Sequence, residues 1–304
     1  MSNYMGCGVQ IIDKDNLEKK LLELEKSGNY VAEEKLDGQW AEIWVQSGKV
    51  IKVLSRTGKP KPFEPLLNYK FPMVSGIFVG EIGYGSTNSK LRENIAVLYD
   101  WIKVVYNGRM IKASKFNNHT RRKILKQVLV DLKPGILIVE RTRRGFLAFY
   151  NRVLLNKGEG LIIKKEFGSD TVYKKGTRSP NWIKVKKGVE VDMVVMSLNW
   201  RDPKGMSKIT KNKGADKYIK DIVCGQYYNG VLRKETRVGS MTDYARAWFS
   251  MSPCIGKVIT IRGFEQFPKT GAIRHCSLAI RDDGKFIRED LTPKDCVFGK
   301  IKII

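Results

Sequence analysis

Beyond Lys187-Gly188 the chain offers strand-like runs at 191–198, 221–228, 256–264 and 273–281, with at most one helix, near 242–249. That tail, about 115 residues long, suits a small five-stranded all-β barrel. The first 188 residues read differently. Leu17, Leu21 and Leu24 share one helix face, with Asp15 and Glu18 as a capping box and Ser27-Gly28-Asn29 as the stop. Tyr30 to Leu36 then reads as a strand running into Asp37-Gly38, and Ala41, Ile43 and Val45 alternate before the turn at Ser47-Gly48. Further strands are expected at 50–54, 76–82, 95–105, 158–165 and 182–187, and a basic amphipathic helix at 120–133. No regular βαβ alternation occurs, so the pattern predicts an α+β domain on antiparallel sheets over 1–188, followed by an all-β domain over 189–304.

Charge narrows the partners. Lys and Arg number 56 against 31 Asp and Glu, a formal net charge of +25. Such an excess repels itself unless a polyanion, an acidic partner or an anionic membrane meets it. No apolar run approaches the ~18–20 residues of a membrane span, and the N-terminus lacks a secretion signal, so no membrane association and a cytoplasmic location are expected. Five widely spread cysteines (Cys7, Cys224, Cys254, Cys276, Cys296) form no CxxC pair, which fits a reducing compartment without structural zinc. With only His119 and His275, a multi-histidine metal centre is excluded. Catalysis, if present, falls to lysines and carboxylates.

Lys35-Leu36-Asp37-Gly38 puts a lysine at a strand end before a tight turn. An amine so placed can project into a cleft, where desolvation or neighbouring cations make it nucleophilic. Taken alone, the same four residues equally describe a surface hairpin.

The rest of the chain extends the pattern. Lys35-Leu36-Asp37-Gly38 resembles the nucleophile motif of ATP-dependent DNA ligases, members of the covalent nucleotidyltransferase superfamily. Ser55-Arg56-Thr57-Gly58, Val79-Gly80-Glu81 and Tyr99-Asp100-Trp101 are similar to the family's next three motifs. Glu159 to Lys164, then Trp182 to Lys186 preceded by Tyr173 to Ser179, resemble the following two. Arg274-His275-Cys276-Ser277, ending in Arg281-Asp282-Asp283, resembles the last. The order and approximate spacing match those of minimal ligases of the viral or bacteriophage kind.

The resemblance implies an ATP-grasp-like nucleotidyltransferase core followed by an OB-fold barrel. It implies that Lys35 takes AMP from ATP as a phosphoramidate, and that the chain seals nicks in duplex DNA during replication, repair or recombination. Glu33 is implied as acceptor for the adenine amino group, Tyr99 as the stacking platform and Glu81 as a ribose-binding carboxylate. Glu159 and Glu81 are the implied ligands of Mg²⁺, with Mn²⁺ as a substitute. Lys184 and Lys186 alternate on one strand and so face the same side, where the resemblance puts the α-phosphate. Arg274 and Arg281 are implied to orient the departing pyrophosphate. Arg56 is implied in both nucleotide and DNA contact. A monomer is expected.

The chain departs from the family at Trp40, where an arginine is usual; either a neighbouring cation such as Arg56 replaces it or Trp40 simply packs in the core. Cys276 stands where proline is common. An RNA ligase or a GTP-using mRNA-capping enzyme would share the core, and a nucleic-acid-binding protein with a decayed site is the non-enzymatic alternative. The NAD-dependent relatives carry extra modules and cysteine clusters not seen here.

Residues 199–220 carry seven Lys/Arg and two Asp. They read as a latch contacting DNA phosphates through Lys204, Lys208, Lys211 and Lys213, or else as a solvated loop. If they form a latch, deleting 203–217 weakens binding to nicked duplex and flattens its dependence on salt, because each lost phosphate contact removes about 0.9 from the log–log slope. Titrations at several salt concentrations read both; unchanged affinity and slope exclude the latch.

Overall fold

The computed structural model describes residues 3–11, 14–83, 93–156, 158–201, 218–264, 266–267, 269–280 and 284–303. The chain divides into two units, Met1–Lys186 and Lys187–Ile304.

Two-residue alternation in three strands layers the first unit. These are β2 (Tyr30–Glu34), β10 (Gly160–Lys165) and β11 (Arg178–Lys186), which lie side by side in a five-stranded sheet of order β1-β11-β10-β2-β9. Ala32, Leu161, Ile163, Ile183 and Val185 form one face and pack on Leu17 and Leu21 of α1 (Lys14–Lys26) and on Phe146, Phe149 and Val153 of α4 (Phe146–Leu155). Each of the Val, Leu, Ile and Phe side chains, fully buried, contributes ~1.5–3 kcal/mol. The intervening positions, Glu33, Ile162, Lys164, Trp182, Lys184 and Lys186, therefore share the opposite face. The edge strands are β1 (Gly6–Ile11), parallel to β11, and β9 (Arg141–Thr142), antiparallel to β2.

A second sheet runs β4-β3-β5-β6-β7, formed by β3 (Gln39–Gln46), β4 (Lys49–Leu54), β5 (Gly76–Ile82), β6 (Ala96–Tyr106) and β7 (Arg109–Lys112). A short strand, β8 (Ile136–Ile138), pairs with β6 in parallel. Its core holds Ile43, Phe78, Leu98, Trp101 and Leu125, the last from α3 (Asn118–Val128). A four-residue helix, α2 (Glu64–Leu67), packs near β4 through the fully buried Leu66.

The second unit is one antiparallel sheet of order β14-β13-β12-β15-β16. Its strands are β12 (Val189–Trp200), β13 (Ile219–Tyr228), β14 (Val231–Val238), β15 (Val258–Gly263) and β16 (Ser277–Leu278), with β17 (Lys302–Ile303) on β12. One helix, α5 (Asp243–Met251), capped by Thr242, packs Phe249 into its core.

Several expectations change. The first helix begins at Lys14, and the capping expected of the Asp15 side chain lies outside the described side chains. The basic helix ends at Val128 rather than 133, with Leu129 already outside αR geometry. The run at 273–281 pairs as a strand only at Ser277–Leu278, because His275 adopts a positive φ of 52° and breaks the extension. The sheets are not wholly antiparallel, since β1 and β8 join in parallel. The elements β1 and α4 were not anticipated. Residues 202–217, which contain Lys204, Lys208, Lys211 and Lys213, and also Arg281, lie outside the described residues. Among the described residues the sheet of the second unit runs as an open path, and closure into a barrel is not seen.

One glycine is required where sheet and site meet. Gly160 has φ of +139°, and a Cβ there would lie 2.0 Å from the Val185 carbonyl oxygen. Gly160→Ala is expected to cost about 3 kcal/mol or more, from backbone strain together with a clash against backbone. Chemical denaturation measures the loss as a lower midpoint at unchanged slope.

Candidate active site

The polar face of the first sheet meets residues of the second at a cavity of about 520 Å³. From the first sheet come Glu33, Ile162, Lys164, Trp182, Lys184 and Lys186; from the second, Trp40, Glu81 and Tyr99. Strand register explains the grouping. Ile162 stands between Glu33 and Lys184, and Lys164 is opposite Trp182. Glu81 lies between Trp40 and Val97, two residues before Tyr99. Asp100, next along the strand, takes the other side and is held by the buried Arg121, whose Nε donates at 2.9 Å and second amino group at 3.0 Å. It is a structural group.

Lys35 leaves the sheet just after β2, its amide donating to the Gly160 carbonyl at 2.8 Å. Its Nζ contacts one carboxylate oxygen of Glu159, and Lys186 Nζ contacts the other. One carboxylate thus holds two ammonium groups at the cavity, with Lys184 also in its wall. Glu81 is the second carboxylate. Burial pushes its carboxyl up to about 7, the charge of Glu159 acting in the same sense and Lys35 and Lys61 against it. Among the described residues no group of three or more His, Cys, Asp or Glu side chains is gathered for a metal ion.

Glu33 is only 2 % exposed. Arg141 Nε donates to one of its oxygens at 2.9 Å, and Lys164 Nζ lies 2.6 Å from the other. Burial opposes ionisation, but Lys164, Arg141 and Arg122 together outweigh it and hold the carboxyl down at about 2. Lys164 sits over two rings as well, 4.2 Å from the Trp182 centroid and 4.9 Å from that of Tyr99. Burial lowers its pKa while Glu33 resists. Burial likewise raises the Tyr99 hydroxyl well above the usual phenol range, so the ring stays neutral.

The cavity therefore collects Glu33, Lys35, Arg56, Glu81, Tyr99, Lys184 and Lys186, with Glu159 in contact with two of them. Arg274 is in the second unit, where its carbonyl accepts from Phe264 N at 3.1 Å. Sequence reading gave no role to Lys164 or Arg141, nor to Tyr4, Met5 and Cys7, which also line the cavity. The two-residue period, which puts Lys164 on the same strand face as Ile162, was a visible signal; the pairing of residues 6–11 with 178–185 had none. Trp40 is buried in the cavity wall, edge-on to Tyr4 at 5.6 Å between centroids.

Residues 88–186 match the family model described as ATP dependent DNA ligase domain. The chain carries an ATP-dependent DNA ligase domain. That makes it an enzyme of the ligase class. The matched stretch of the ligase domain supplies Tyr99, Glu159, Lys164, Lys184 and Lys186. Solved structures share the fold. One, described as "DNA binding with a minimal scaffold: Structure-function analysis of Lig E DNA ligases", is 17% identical over 92% of this chain and 99% of that chain, with a TM-score of 0.58. Another, "Pmar-Lig_Pre.", is 17% identical over 91% of this chain and 68% of its own, at 0.60. A third, "Pmar-Lig_PreS3", is 19% identical over 89% and 66%, at 0.58. Among the described residues of the ligase no helix is long and apolar enough to cross a membrane.

The buried Glu33 pairs generate a pH prediction. A depressed folded-state pKa contributes stability above the unfolded value, about 4.3, that is lost as pH falls toward 2. Glu33→Gln, which strands two buried cations, is expected to lower stability at pH 7 by about 3 kcal/mol. The gap to wild type should narrow as pH falls from about 4.3 toward 2, as read by urea midpoints at each pH.

Proposed function

We propose that this ligase seals nicks bearing a 5′-phosphate and a 3′-hydroxyl in duplex DNA, by way of an adenylylated Lys35. The contact of Lys35 and Lys186 with the two oxygens of Glu159, at the wall of a nucleotide-sized cavity, carries the reading. To attack, the Lys35 ammonium must first lose a proton, and the Glu159 carboxylate is the base touching it. The freed lone pair then forms an N–P bond to the α-phosphorus of ATP as the bond to the β-phosphate oxygen breaks and pyrophosphate departs. Lys184 and Lys186 offset the charge on the transferred phosphoryl oxygens. Tyr99 and Trp182 supply rings for the base, and Glu33 is the polar group beside them. Arg274 and Arg281 orient the pyrophosphate.

In the second step a 5′-phosphate oxygen displaces Lys35, giving a P–O–P anhydride. In the third the 3′-hydroxyl attacks the 5′-phosphorus, a phosphodiester forms and AMP leaves. Glu81 and Glu159 are hard oxygen donors beside the lysines, a pair that suits Mg²⁺, or Mn²⁺ in its place, with phosphate oxygens and water completing the shell. Such an ion, when bound, neutralises charge on the reacting phosphates.

On this reading residues 1–188 form the adenylation domain and 189–304 an OB-fold barrel. The isolated bridge between Ser240 and Ser277, with Leu278 N donating to Ser240 O at 3.2 Å, supports the latter, because it joins the segment just after one edge strand of that unit's sheet, β14, to the other edge strand, β16. Arg56, Lys204, Lys208, Lys211 and Lys213 contact DNA phosphates. The protein acts as a cytoplasmic monomer in replication, repair or recombination.

Incubation with α-labelled ATP and Mg²⁺, followed by a denaturing gel, tests the nucleophile. Wild type is expected to label and Lys35→Ala to fall to background; equal labelling of the two overturns the assignment. Glu159→Ala should lower the rate about 100-fold or more, the usual scale for a lost proton acceptor. Sealing of nicks flanked by DNA or RNA, with ATP, GTP and NAD compared, separates DNA ligase from RNA ligase and capping enzyme.

A further inference from the structure

Tyr4 contributes to the cavity from a segment that sequence reading left without a role. Its ring lies beneath Arg56, whose guanidinium carbon is 3.9 Å from the ring centroid, and it stands edge-on against the buried Trp40. All three residues line the cavity. Arg56 itself projects from an exposed turn, closed by Gly58 N donating to Ser55 O at 2.8 Å. A long side chain on such a turn would ordinarily sample many rotamers.

Tyr4 is fixed from several sides. Its carbonyl accepts from Gly176 N at 2.7 Å, and the carbonyl of neighbouring Asn3 accepts from the Tyr173 hydroxyl at 2.9 Å. Asn3 also donates its side-chain amide to Glu42 at 3.0 Å. Two residues on, a Cβ at Gly6 would come within 2.8 Å of the Tyr4 ring, so the absence of a side chain there is what lets the ring fold back over the strand.

We propose that Tyr4 is a positioning residue: propped by Trp40, it holds the Arg56 guanidinium by its face as a phosphate-binding group of the cavity. A guanidinium engaged through its face keeps its N–H donors at the edge, in the plane that matches two oxygens of a phosphate. Lysine could not use the ring in this planar way. The ligand class is a phosphate oxyanion, borne by the nucleotide or by the polynucleotide end. The inference rests on the proposed function for the identity of that phosphate, though not for the chemistry of its recognition.

Equilibrium binding of ATP and, separately, of a 5′-phosphorylated nicked duplex is measured for wild type and for Tyr4→Leu, Tyr4→Phe, Arg56→Ala and Arg56→Lys, beside Lys35 labelling. Tyr4→Leu and Arg56→Ala are each expected to weaken one of the two ligands about tenfold, the scale of a partly desolvated cation–π contact. The ligand affected identifies the source of the phosphate. Tyr4→Phe, which keeps the ring, should stay within about twofold of wild type. Combining Tyr4→Leu with Arg56→Ala should add nothing beyond Arg56→Ala, since both remove one interaction. Unchanged binding of both ligands by Tyr4→Leu, or additive losses, overturns the proposal. Should Tyr4→Leu fail to fold, Arg56→Lys decides: near-wild-type binding overturns the proposal, and a loss close to that of Arg56→Ala supports it. A wild-type chain that does not label on Lys35 defeats the functional reading alone, because the binding measurements judge the Tyr4–Arg56 pair separately.

Discussion

One carboxylate shared by two lysines organises the first unit. Glu159 meets Lys35, which has just left β2, and Lys186, the last residue of β11. The backbone makes the same connection, with Lys35 N bonded to Gly160 O and Gly160 registered against Lys186. Removing either lysine would leave Glu159 half-matched in a partly buried setting, where opposite charges interact far more strongly than in water. The arrangement holds an amine, a base and a second cation within one contact distance.

Around that triad the cavity wall is ionic as much as apolar. At the wall Glu33 pairs with Lys164 and Arg141, and away from the cavity Asp100 pairs with the buried Arg121; both carboxylates are 2 % exposed. Buried pairs of this kind gain little net stability over apolar packing, yet breaking one costs several kcal/mol. Their effect is to fix side-chain position. Arg141 and Lys164 hold Glu33 from two directions, and Lys164 in turn joins Tyr99 to Trp182. The net positive composition of the chain thus enters the interior in an ordered form.

Local patterns made much of this legible. Period-two alternation in 160–165 and 182–186 gave the strands and the shared face of Lys184 and Lys186, and Gly/Asn turns gave the hairpins at 47–48 and 107–108. What stayed hidden depends on long-range pairing. The strand Gly6–Ile11 has glycines at 6 and 8 and little apolar alternation, so nothing local announces its pairing with Arg178–Lys186. The helix Phe146–Leu155 is apolar over most of its length and starts from Gly145 in the left-handed region, with no side-chain cap to mark it. The two-residue period puts Lys164 on the face of Ile162, but a lysine near a strand end normally points to water, and only the fold reveals the two rings and the carboxylate around it.

The parallel pairing of β1 with β11 has a kinetic side. The chain's first strand finds its hydrogen-bonding partner only in residues 178–186, the last strand of its own unit. During synthesis the first sheet must therefore keep an open edge while the second sheet, complete by residue 138, can already assemble. Contacts of such sequence separation close slowly, and an unpaired edge invites wrong partners meanwhile. The wall that carries Tyr4, Met5 and Cys7 therefore has no strand to pair with until β11 is present, and β11 brings Trp182, Lys184 and Lys186 to the cavity as well.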